Sequence, residues 1–203
     1  MSYPLPFSET HRDCLQEVAN IAMGAAGESL ADYCGGFVEL PIPVIRYIEP
    51  SKLSETVVSL QGAQRVSACA QSFATEMGMA YAMVVVADDD LATLAQARGL
   101  PLENNEQEQN LLKALTGVIC DTCLASLAEI AERRFKVEPV FVVAVHEPLE
   151  ALQLDDLVSV DFVTSVEINY QLEASDFNCD LLLLFPETLN QPLLDLLDQI
   201  LLQ

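Results

Sequence analysis

Asp13, Glu17 and Asn20 place two carboxylates and an amide at i, i+4 and i+7 of a strongly helical segment. At 3.6 residues per turn they share one stripe, which continues through Gly24 and Glu28. Leu15, Val18, Ala22, Ala26 and Ser29 take the opposite side. Two carboxylates one turn apart are raw material for acid–base chemistry. On an open helix face, however, they lack the enclosing pocket that raises a carboxyl pKa. A small-molecule enzyme built on Asp13 and Glu17 is therefore the least favoured reading. The commonest fate of an acidic stripe is a solvated helix face, but this one contains no Lys or Arg. It also contains Gly24, which costs a helix up to ~1 kcal/mol relative to Ala. Close approach of a second surface is a physical reason to keep a glycine there.

The elements that position these groups can be read from the flanking sequence. A long helix spans Ser8–Tyr33, opened by a Ser8 or Thr10 cap and closed by Gly35 and Gly36. Phe37–Ile48 alternates like a strand, with Pro41 and Pro43 pointing to an edge or an irregular strand, and Pro50–Glu55 is a turn or short helix. Val66–Ala74 and Met79–Ala87 are strands joined by a Glu76–Gly78 turn. Asp88–Arg98 is a short helix whose Asp88, Asp89 and Asp90 are expected to cap its first turn and complement its dipole. After the polar Leu100–Gln107 connection the pattern restarts. A second long helix covers Glu108–Arg134, with strands near Val137–Glu147, Val158–Leu172 and Cys179–Phe185 and a final helix Glu187–Leu202. VVVADDDLATLA from Val84 is also similar to LLLLFPETLNQPL from Leu181. The expected fold is α+β and internally duplicated, a helix-strand-strand-strand-helix unit occurring twice. Its two long helices pack on a continuous antiparallel sheet. The expected organisation is a single domain, 1–203, of two pseudo-symmetric halves, about 1–100 and 101–203.

Composition narrows the partners. Nine Lys and Arg against 31 Asp and Glu leave a net charge of −22, which repels phosphate backbones and anionic lipid headgroups. Neither nucleic acid nor membrane is an expected partner, and a surface with basic groups is. No basic-then-apolar leader opens the sequence and no uninterrupted apolar run approaches ~18 residues, so the expected location is cytoplasmic. The six cysteines are expected to be reduced and mostly buried. Cys120 and Cys123 form a CxxC in mid-helix with no second pair or nearby His, which reads as core packing. His11 and His146 are too few for a metal cluster, and no phosphate-binding loop is present. The Leu-rich tail is amphipathic and expected to pack on the sheet, with partner binding the less favoured alternative.

Pro43 follows Asn20 after twenty-two residues. The set Asp13, Glu17, Asn20 and Pro43 resembles the motif of the CheC/CheX/FliY family of chemotaxis phosphatases. That motif is Asp or Ser, three residues, Glu, two residues, Asn, twenty-two residues, Pro. EVANIAMG from Glu17 to Gly24 resembles the family's EIGNIGAG helix, and length and duplication resemble CheC more than CheX. The resemblance implies accelerated hydrolysis of the aspartyl phosphate on a CheY-type response regulator. The acyl phosphate and Mg²⁺ are then the regulator's, and this chain needs no cofactor or metal of its own. In that picture Asn20 orients the attacking water and Glu17 pairs with a Lys beside the phosphorylation site. Gly24 permits the approach, Asp13 supports the helix entry, and Pro43 shapes the chain behind it. CheD-like proteins, which CheC relatives bind, are a further implied partner.

The second half departs from the motif. Aligning LKALTGVIC with LQEVANIAM puts Ala114 at the place of Glu17 and Gly117 at that of Asn20, with Pro139 near its expected place. Neither can pair with Lys or orient water, so one active surface per chain is expected. The rival reading is a non-catalytic adaptor whose stripe docks on a response regulator or a chemotaxis or flagellar-switch partner, since fold alone does not settle activity.

Overall fold

The computed structural model describes residues 3–57, 60, 62–75, 78–152, 158–173 and 175–202. Helix α1 covers Glu9–Cys34. Its Ser8 cap accepts from the His11 amide, and Gly35 ends it in the left-handed region at φ 72° with its N–H returning to the Ala31 carbonyl. The first half continues with β1 (Val38–Glu39), β2 (Val44–Ile48), β3 (Val66–Thr75), β4 (Gly78–Ala87) and α2 (Asp88–Ala97). The second half repeats the order with α3 (Asn105–Ile130), β5 (Lys136–Val137), β6 (Phe141–Glu147), β7 (Val163–Leu172), β8 (Asn178–Pro186) and α4 (Asn190–Leu201). The Phe37–Ile48 run is two strands, interrupted where Pro41 and Pro43 cannot donate to a ladder. Glu76 and Met77 of the expected turn lie outside the described residues, and Gly78 already belongs to β4.

One antiparallel sheet runs β1-β7-β8-β4-β3-β5, with β2 also on β7 and β6 also on β3. Each half thus lends its first strands to the other half's sheet edge, and β4 meets β8 at the centre. Helices α1 and α3 cover one face, side by side, with Ser29 Oγ 3.0 Å from Thr122 Oγ1. Leu53, Val57, Leu60, Leu149, Leu152 and Val158 cover the other face. Burial on both faces explains why VVV and LLLL replace the alternation of a half-exposed strand. Leu193 and Leu197 bring α4 into the α1 and α3 core. By length and composition α3 could cross a membrane, although no uninterrupted apolar run announces it; half of that stretch is buried inside the fold. Cys120 and Cys123 are fully buried there, and burial pushes the Cys123 thiol up to about 12.

The Asp88–Asp90 run does not cap α2. Ala87 occupies the cap position with no side-chain bond, while Asp88 accepts from Ser67 Oγ at 2.8 Å and faces His146 Nδ1 at 2.7 Å. His146 Nε2 lies 2.7 Å from Glu108, so one imidazole ties the starts of α2 and α3 to the end of β6. Asp90 instead binds Asn178 Nδ2, and burial raises its pKa to about 6.

The hydrogen bond to Asp88 raises the His146 pKa above its usual value, with Glu108 adding to it against partial burial. A raised folded-state pKa means stabilisation fully present below the unfolded value of ~6.5 and lost as pH climbs through the folded one. The Tm advantage of the wild type over His146→Gln should therefore be largest near pH 6 and shrink toward pH 9. A constant difference across that range would show that the imidazole charge contributes nothing.

Candidate functional site

The α1 helix sends Leu15, Val18, Ala19, Ala22, Met23, Ala26, Gly27 and Leu30 into the core. Asp13, Glu17, Asn20 and Glu28 are consequently exposed, as the 3.6-residue period requires. Ser29, expected on the buried side, is half-buried at the contact with α3.

The motif residues divide by what holds them. Asp13 Oδ1 accepts from Arg12 Nε at 3.2 Å and Nη2 at 2.9 Å, a local pair at the helix entry. Pro43 is buried, and its carbonyl accepts from Gln16 Nε2 at 2.7 Å, pinning the post-helix chain one residue before Glu17. The side chains of Glu17 and Asn20 make no hydrogen bond or ion pair with other described residues. Their side chains stand on one exposed stripe, available to a partner. Free groups on a rigid helix are positioned without being spent internally.

Gly24 and Gly27 lie three residues apart and do different things. A Cβ at Gly27 would lie 2.9 Å from Leu40 Cδ2, so that glycine seats Leu40 on the helix. A Cβ at Gly24 would meet nothing within 4 Å, so the fold itself does not require glycine there. Gly117 of α3 is equally open. Alanine at either helical position should raise stability by about 0.5–1 kcal/mol. If Gly24 serves an approaching surface, Gly24→Ala alone should also weaken partner binding several-fold. Denaturant melts and titrations of the two variants check this. Equal binding by both would leave Gly24 without that role.

The second helix presents Ala114 exposed and Gly117 half-buried at the matching places. Sheet register refines the proline: Val44 of β2 pairs with Glu167, and Phe141 of β6 pairs with Ala70, each partner being the fifth residue of its strand. Phe141 thus takes the place of Val44, and Pro139 that of Ile42, one residue off Pro43.

Sequence reasoning passed over the apolar character of the segment beside the motif. Phe37 is 78% exposed and Ile42 74%, with Leu40, Val44 and Ile21 also exposed. The signal was present in FVELPIPV, whose two prolines keep it from being sheathed by another strand.

A long helix pair on a curled antiparallel sheet is the fold of the CheC/CheX/FliY type. No protein-family profile matches the sequence, and no curated protein matches it. Solved structures do. The chain is similar to FliY of Thermotoga maritima, with a TM-score of 0.71 at 14% identity over 97% of this chain and 100% of that one. It is similar to FliM in a FliG–FliM complex from H. pylori, with a TM-score of 0.60 at 12% identity over 91% and 100%. It is also similar to the chemotaxis protein CheX of Desulfovibrio desulfuricans, with a TM-score of 0.55 at 12% identity over 82% and 97%.

Proposed function

We propose that this chain is a cytoplasmic chemotaxis-type phosphatase that accelerates hydrolysis of the aspartyl phosphate on a CheY-type response regulator. The observation that carries the reading is the pair of unspent side chains, Glu17 and Asn20, exposed on consecutive turns of a helix fixed by the core. The regulator supplies the acyl phosphate and its Mg²⁺, which neutralises charge on the phosphoryl oxygens. This chain supplies position. Glu17 docks on a regulator lysine through a charge-assisted pair. The Asn20 carboxamide accepts a hydrogen bond from the attacking water and donates one from its NH₂ group, fixing the water in line with the P–O bond that breaks. Water attacks phosphorus, the aspartate carboxylate leaves, and inorganic phosphate departs. The duplicated architecture acts through its first half only, because Ala114 and Gly117 offer neither charge nor amide.

The likeness to FliM favours a second reading, an adaptor that holds a flagellar-switch or chemotaxis partner without hydrolysing anything. CheD-like proteins remain a proposed further partner of either form. The test is to phosphorylate response regulators of the same genome and follow loss of the aspartyl phosphate with and without the protein. Accelerated decay supports the phosphatase; saturable binding with no acceleration supports the adaptor.

A further inference from the structure

We infer that the segment Phe37–Val44 is the affinity-determining part of the docking surface, an apolar footing beside Glu17 and Asn20 that meets apolar side chains next to the regulator's lysine. This inference rests on the reading of the partner as a response regulator and adds the surface that sets its affinity.

Four of the twelve large hydrophobic side chains exposed among the described residues lie in this one segment, namely Phe37, Leu40, Ile42 and Val44, and a fifth, Ile21, follows Asn20 on the helix. Singly scattered apolar residues need no explanation, but a cluster of this kind marks an interaction surface. The cluster is fixed to the motif helix at two points, by the Gln16 bond to the Pro43 carbonyl and by Leu40 against Gly27. Gln16, Asn20, Gly24 and Gly27 form one row of α1, so the apolar segment flanks the working amide directly.

The segment offers side chains and not a strand edge. Pro41 and Pro43 have no N–H to donate, and both β1 and β2 already pair inward with β7. Its border is acidic: Glu17, Glu28, Asp32 and Glu39 are exposed around it. Of the nearest cations, Arg12 is paired with Asp13 and Arg46 with Glu167. An apolar centre with an acidic rim fits a surface whose apolar side chains stand among lysines or arginines.

The second half provides an internal comparison. In the sheet register Arg134, Lys136 and Pro139 occupy the places of Phe37, Glu39 and Ile42. The half without the Glu–Asn pair also lacks counterparts of Phe37 and Ile42, the two most exposed apolar side chains of the segment, and of the acid between them. Val137 and Phe141, both exposed, take the places of Leu40 and Val44, so the apolar footing is reduced in that half and not abolished.

The test titrates wild type, Phe37→Ser/Ile42→Ser and Val137→Ser against beryllofluoride-activated receiver domains of the same genome, alongside phosphate-decay kinetics. Val137 is an exposed apolar residue of the other edge and serves as control. The double variant should raise Kd and KM at least tenfold, with a much smaller effect on the rate at saturation, and Val137→Ser should bind as wild type does. Circular dichroism melts monitor folding, with Ile42→Thr alone as a milder variant. Wild-type-like binding by the double variant overturns the footing and leaves the phosphatase standing. Binding that needs Phe37 and Ile42 without acceleration overturns the phosphatase and leaves the footing. No wild-type binding to any receiver overturns both. Self-association abolished by the double variant, with receiver binding unaffected, assigns the patch to a second copy of this chain.

Discussion

Asn20→Ala is expected to reduce the acceleration of aspartyl-phosphate decay by roughly a hundredfold or more while leaving regulator binding within about threefold. The size follows from what the amide supplies. Phosphoryl transfer passes through a loose transition state, so an enzyme gains mainly by placing the nucleophile and stabilising spread charge. Losing one preorganised hydrogen-bonding group at such a centre typically costs 10²–10³ in rate, or about 3–4 kcal/mol. The Asn20 side chain makes no hydrogen bond with the described residues of its own chain, so truncation leaves no orphaned partner and should not disturb folding. Single-turnover decay at saturating protein separates this loss from weaker docking. If the rate at saturation stays at the wild-type value, another group orients the water and the assignment to Asn20 fails. An Asn20→Asp variant sharpens the result: it preserves shape but removes the NH₂ donors and adds a charge near an already anionic centre.

The elements differed in how much of themselves they showed in sequence. The bounds of α1 were legible because its signals are local: Ser8 caps it, the 3.6-residue period runs through it, and Gly35 supplies the left-handed exit. The duplication was legible for the same reason, since each half writes its own helix and strand pattern. What could not be read was the exchange of β2 and β6 between halves, which joins residues more than a hundred positions apart in β2 and seventy or more in β6. His146 behaved similarly. Alone in sequence it looks like a stray histidine, and only folding brings Asp88 and Glu108 to its two ring nitrogens. The same contact took Asp88 away from the capping role that local chemistry assigned it. At the site, residue types and spacing were legible, while freedom was not. Asp13 and Glu17 look alike in sequence, yet Asp13 is occupied by Arg12 and Glu17 is left open.

That difference makes Glu17 the residue whose reversal should most affect docking. Glu17→Lys replaces a charge-assisted pair with like-charge contact at a surface that excludes water on binding. Removing one partner of a desolvated pair costs about 2–5 kcal/mol, so Kd should rise at least thirtyfold. Asp13→Lys on the same stripe should cost much less, because Asp13 is already paired and exposed within its own chain. The salt response tells a specific pair from bulk charge. Of the 22 units of net negative charge, Glu17→Lys removes two, as does Asp13→Lys, so a purely global field would weaken association equally in both. A specific pair predicts instead a large Glu17 effect that is greatest at low ionic strength and still visible at 0.5 M, where long-range attraction is screened. Charge exchange closes the argument. Placing Glu at the regulator lysine beside the phosphorylation site should restore binding to Glu17→Lys and to no other variant. Failure of that rescue, with both proteins folded, would mean that Glu17 docks elsewhere on the regulator.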